Sequence, residues 1–89
     1  MKSGNIQVRN KLGLHARSAA QLVRVASGFE SEIKLINGAK SANAKGIMGL
    51  MVLAATQGTE LELRIEGPDE TIAYETIQQL FDSRFGEDE

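Results

Sequence analysis

The run Glu60-Leu61-Glu62-Leu63-Arg64-Ile65-Glu66 alternates charged and apolar side chains without a break, and it constrains the fold more than any other feature. Side chains on a strand point to opposite faces in turn, so Leu61, Leu63 and Ile65 line a buried face while the other face meets water. Two further segments repeat the pattern. Ile6 to Arg9 alternates apolar and polar, and Glu32 to Ile36 places Ile33 and Leu35 on one side. Asn37-Gly38 supplies the backbone freedom of a tight hairpin turn, and Lys40 to Asn43 is the returning strand.

Between these runs the period changes to that of a helix. After the loop Asn10 to Leu14, Ala19, Leu22, Val23 and Ala26 fall at i, i+3, i+4 and i+7, with Val25 off that stripe, and Ser27-Gly28 ends the helix. Ile47 to about Leu53 predicts a short second helix, with Leu50, Leu53 and Ala54 on its core face. Gly67-Pro68-Asp69-Glu70 opens a third, with Pro68 in its first turn and the acids at its positive end; Ala73, Ile77, Leu80 and Phe81 form its buried stripe. The order is β-α-β-β-α-β-α. Strands with one apolar face and helices with one apolar stripe predict an α+β open-faced sandwich, a four-stranded antiparallel sheet covered on one face by three helices.

Composition narrows the chemistry. A chain of 89 residues hides only about 60–65% of its unfolded surface, so one domain with one modest core is expected. It has no cysteine and a single histidine, which removes disulfides, thiol nucleophiles and multi-histidine metal centres, and no cofactor is expected. The net charge of −2 argues against a nucleic-acid partner. Residues 1–86 carry 9 acids against 10 bases, the remaining acids being Glu87, Asp88 and Glu89. Residues 87–89 are therefore expected to be a frayed, solvated tail that takes no part in function, and 1–86 the domain. The apolar stretch Ile47 to Ala55 is too short to span a bilayer and no signal-peptide layout is present, so no membrane insertion and a cytoplasmic address are expected.

The histidine is His15, where the glycine-containing loop meets the first helix. If that helix begins at Ala16, the free N–H groups of Ala16, Arg17 and Ser18 lie beside the imidazole, and partial positive charge gathers there. This is an anion site. The same charge favours a neutral ring with a lone pair free to attack phosphorus, and the Arg17 guanidinium can donate two hydrogen bonds to phosphate oxygens. On position alone, a solvated histidine beside a solvated arginine fits as well.

Asn10-Lys11-Leu12-Gly13-Leu14-His15-Ala16-Arg17, followed by Ala19-Ala20, resembles the signature of the histidine-containing phosphocarrier family, HPr, of the bacterial phosphoenolpyruvate-dependent sugar phosphotransferase system. Lys45-Gly46-Ile47-Met48-Gly49-Leu50-Met51 is similar to the family's second signature, and the element order above is the family's. The resemblance implies that His15 accepts a phosphoryl group on Nδ1 from enzyme I and passes it to IIA proteins, as a stoichiometric carrier and not a catalyst. It also implies that the second helix docks both partners. That helix is too apolar for one buried stripe: Ile47, Met48 and Met51 are left near the surface, where methionine repacks against differently shaped partners, whereas Val52 is read as broadening the core. Arg24 and Lys45 are either rim charges for acidic partners or solvated side chains.

The sequence departs from the family pattern twice. Ser18 stands where many relatives have proline, and its hydroxyl can instead bond free helix N–H groups. Gly46 stands where many relatives carry a regulatory serine, so phosphorylation at that position is chemically excluded; nothing moves the role to Ser31 or Ser41. Sugar uptake and the nitrogen-related branch both remain open, as does a regulatory protein that binds transcriptional or metabolic regulators through Ile47, Met48 and Met51. A monomer is expected.

Overall fold

The computed structural model describes residues 1–87. The elements are β1 (Lys2–Gln7), α1 (Ala16–Ala26), β2 (Glu32–Asn37), β3 (Lys40–Asn43), α2 (Ile47–Val52), β4 (Glu60–Glu66), α3 (Glu70–Asp82) and a 3₁₀ turn at Arg84–Gly86. The sheet runs β1-β4-β2-β3 with every neighbouring pair antiparallel. The expected order and architecture are present.

Alternation sets the register. Ile6 lies opposite Leu61, Leu35 opposite both Leu63 and Ala42, and Ile33 opposite Ile65, so the apolar sets of four strands fall on one face. A slip of one residue would turn such a set to solvent. Leu22, Ala19 and Ala26 of α1, Leu50 of α2, and Ala73, Ile77 and Phe81 of α3 close over that face. All of these are buried in one cluster.

The first strand differs from expectation. It begins at Lys2 instead of Ile6 and ends at Gln7, although Val8 stays buried and is held by Val8 N–H donating to Thr59 O at 2.9 Å. Lys2 and Gly4 share the inward face with Ile6 and contribute no apolar side chain. The space is filled from α3: Tyr74 covers Gly4 so closely that a Cβ would strike its hydroxyl, and the Lys2 ammonium sits 5.6 Å from its ring centroid. A strand completed by an aromatic ring 70 residues away leaves no alternation to read.

The start of α3 is also corrected. Asp69 is its N-cap and Pro68 precedes it, outside the first turn. The Asp69 carboxylate does not cap its own helix. It accepts from the Glu30 and Ser31 backbone N–H groups at 2.9 and 3.0 Å and from the Ser31 hydroxyl, tying α3 to the loop before β2. Of its expected stripe, Leu80 is only half-buried. In the β2–β3 hairpin Asn37 is the last strand residue, and its amide reaches across to donate to Leu53 O at 3.2 Å, joining the hairpin to the end of α2.

Candidate functional site

Three contacts bring the loop 10–14 to the mouth of α1. Gly13 adopts φ +69°, and a Cβ there would run into Ala55 O, so only glycine fits both the turn and the close approach. Leu14 donates its N–H to the same carbonyl at 2.9 Å and buries its side chain. Asn10, fully buried, donates to Gly13 O at 2.8 Å. The loop is thereby fastened to the segment after α2.

His15 is the N-cap of α1, in extended conformation. Its backbone N–H donates to Ser18 Oγ at 3.0 Å, and the Ser18 hydroxyl donates to Gly13 O at 2.9 Å. The Ser18 side chain is therefore fully enclosed. The expectation that its hydroxyl serves the free helix N–H groups is corrected: it reaches back to the N-cap, the arrangement of a capping box. Toward an anion, Ser18 can offer only its backbone N–H.

The imidazole is 29% exposed and held at both nitrogens. Nδ1 accepts from the Arg17 backbone N–H at 3.4 Å, and Nε2 lies 2.8 Å from Glu87 Oε2. A donating N–H at Nδ1 and an accepting carboxylate at Nε2 place the ring proton on Nε2. Nδ1 then carries the lone pair, beside the amide groups that open the helix. The Arg17 side chain is exposed and makes no hydrogen bond or ion pair among the described residues. Ala16 is likewise exposed at the first helical position.

Glu87 was expected to be frayed, and this is corrected. Its side chain is 10% exposed, with Oε1 accepting from Asn10 Nδ2 at 3.0 Å and Oε2 at His15. Burial alone would raise its carboxyl pKa. The hydrogen bonds from Asn10 and His15 and the charges of His15 and Arg17 outweigh burial and hold it below the usual carboxylate range. Asp88 and Glu89 lie outside the described residues.

The second helix presents Ile47, Met48 and Met51 to solvent, Met48 with 75% of its surface. Val52 joins them at 64% exposed, so it does not broaden the core. Ala54 is exposed as well: at φ +53° the chain leaves the helix there, and Ala55 takes the inward position instead. Leu12, 67% exposed in the loop before His15, is a further exposed apolar side chain and had no periodicity to reveal it. Among the charged candidates Arg24 is exposed, whereas Lys45 is half-buried and donates its ammonium to Phe29 O at 2.7 Å, which ties it to the end of α1. Gly46 is the N-cap of α2 without a side-chain hydrogen bond. No cluster of His, Cys, Asp or Glu among the described residues could hold a metal, and no described helix is long and apolar enough to cross a membrane.

Known proteins resemble the chain over nearly its whole length. Residues 2–83 match the family model described as the PTS HPr component phosphorylation site. The chain is 48% identical over 88 residues to the phosphocarrier protein HPr of Xylella fastidiosa, covering 99% of both chains. It is 48% identical to that of Treponema pallidum, over 93% of this chain and 94% of the relative. The crystal structure of HPr-C-His from Thermoanaerobacter tengcongensis superposes with a TM-score of 0.96 at 45% identity, covering all of both chains.

Proposed function

The chain belongs to the HPr family of phosphocarrier proteins of the phosphotransferase system, and from that premise we propose that His15 Nδ1 is the atom that carries the phosphoryl group. The observation that supports this reading is the two-sided hold on the ring: Nε2 faces a carboxylate, so the nucleophilic lone pair is on Nδ1, beside the start of α1. The N–H groups of Ala16, Arg17 and Ser18 and the Arg17 guanidinium then receive the phosphoryl oxygens. A phosphoryl group on imidazole needs little more than positioning, since the P–N bond is labile and the partner completes the transfer site. The donor is the phosphohistidine of enzyme I and the acceptors are IIA proteins.

The docking surface is Ile47, Met48, Met51 and Val52 of α2 and the exposed Leu12, with Arg24 as a charge at its rim. Lys45 supports the fold of this surface through Phe29. Serine phosphorylation does not regulate it at position 46, where glycine has no hydroxyl. Incubation of the chain with enzyme I and phosphoenolpyruvate will give one acid-labile phosphate per molecule, absent in His15→Ala. An unlabelled native chain overturns the carrier reading. Transfer from the labelled chain to sugar-specific and to nitrogen-related IIA acceptors then separates the two branches.

A further inference from the structure

We infer that Glu87 is a positioning residue for phosphotransfer, which holds the His15 proton on Nε2 and offsets the positive charge that the ring acquires when Nδ1 bonds phosphorus. The inference rests on the carrier reading above. Glu87 lies outside the two sequence signatures, 72 residues from His15, yet its carboxylate is the group that meets Nε2. Its placement is built, not incidental. Phe85 is buried against Phe81 with ring centroids 4.8 Å apart, Arg84 and Phe85 both adopt positive φ to turn the chain back, and the buried Asn10 amide donates to the second carboxylate oxygen. That amide donates at any pH and aims Oε2 at the ring.

The proton and charge balance shows what this accomplishes. As the neutral ring attacks, the Nδ1 lone pair forms the new N–P bond while the donor's N–P bond breaks and its electron pair returns to the donor. The His15 ring keeps its proton on Nε2 and becomes a phosphonoimidazolium, formally positive, with Nε2–H directed at the Glu87 carboxylate. In the onward step the P–N bond breaks toward Nδ1 and the ring leaves as neutral imidazole, again without moving the Nε2 proton. Losing that proton at the phosphorylated stage would make imidazolate the leaving group, a far stronger base. Among the described residues, His15 itself, Asn10 and the Arg17 charge act on the carboxylate, and the low pKa of Glu87 keeps the acceptor ionised through the neutral range.

The test uses the full chain labelled with nitrogen-15. At about pH 8, above the ordinary histidine range, long-range proton–nitrogen spectra report which ring nitrogen carries hydrogen. The native chain will show the Nε2–H form alone. Glu87→Ala will move toward the mixture of tautomers of a free imidazole, and its saturating rate of phosphoryl acceptance from enzyme I will fall about tenfold with KM unchanged, by analogy with the lower end of the cost of removing a carboxylate that orients a metal-bound histidine. Glu87→Gln brings one acceptor for two donors, so its NH₂ meets either the Asn10 amide or the ring, and the variant will shift the tautomer in part and lose part of the rate. A native tautomer in Glu87→Ala, or a change in KM alone, overturns the inference. The tautomer is read without any partner, so failure here is distinct from failure of the native chain to be labelled.

Discussion

At the scale of single residues, Ser18 shows how one hydroxyl fixes the geometry of its neighbour. It accepts the His15 N–H and donates to Gly13 O in a fully enclosed position, so in Ser18→Ala the His15 N–H loses this partner and Gly13 O is left with the Asn10 amide. The expected cost is about 1–2 kcal/mol, the range of a lost N-cap interaction, seen as a lower urea midpoint at constant m-value. A cavity of one oxygen is too small to admit a compensating water. Phosphoryl acceptance by the same variant will slow as well, because the N-cap torsions that present Nδ1 are no longer pinned. His15, Arg17 and Ser18 could be read from the sequence because helix caps are local: a loop glycine, a histidine and the onset of a 3.6 period suffice to place them. Glu87 and Asn10 could not, since their contact spans 77 residues and arises only once the fold has closed. An acidic chain end looks the same on paper whether it is solvated or bound.

At the scale of elements, the strongly patterned segments were legible and the joints between them were not. The β4 register follows from its own alternation, and α1 from its stripe. By contrast, β1 depends on Tyr74 to fill the gap over Gly4, and the end of α2 depends on a backbone turn at Ala54 that propensity does not announce. The C-terminal turn is the clearest case. Arg84 and Phe85, both non-glycine, sit at φ 59° and 55°, a conformation costing about 1–2 kcal/mol per residue, and burial of Phe85 on Phe81 compensates. Phe85→Ala keeps the strain and removes the compensation, so a loss of about 3 kcal/mol in unfolding free energy is expected, measured by urea titration. Because this turn delivers Glu87, the same variant will also shift the His15 tautomer toward the free mixture. Ala54→Gly, relieving the strain at φ 53° on the open side of α2, will instead stabilise the chain by about 0.5–1 kcal/mol.

At the scale of the whole molecule, three carboxylates join parts of the chain that are far apart in sequence, and all three are held below their ordinary pKa. For Asp69 the chief cause is the Ser31 hydroxyl, aided by the Glu30 and Ser31 N–H groups. For Glu70 it is the Met1 ammonium at 3.0 Å, with the Gly67 N–H and Lys2 adding to it, which couples the start of β1 to the start of α3. For Glu87 burial opposes ionisation, but Asn10, His15 and Arg17 prevail. A carboxyl whose folded pKa lies below its unfolded value binds fewer protons when folded, so its stabilisation is complete above the unfolded value and is lost as pH falls through the folded one. The urea midpoint is thus expected to be level above about pH 6 and to drop from about pH 4.5 downward, where ordinary carboxylates begin to protonate. Asp69→Asn will lower the midpoint at neutral pH and flatten the acid limb, because an amide cannot ionise and its NH₂ meets donors. Salt will weaken the Met1–Glu70 pair, which is open to solvent, more than the enclosed Glu87 contact. The acid limb at high salt will therefore retain the part that Glu87→Ala removes, and if that variant leaves the limb unchanged, the carboxylate beside His15 does not contribute to folding.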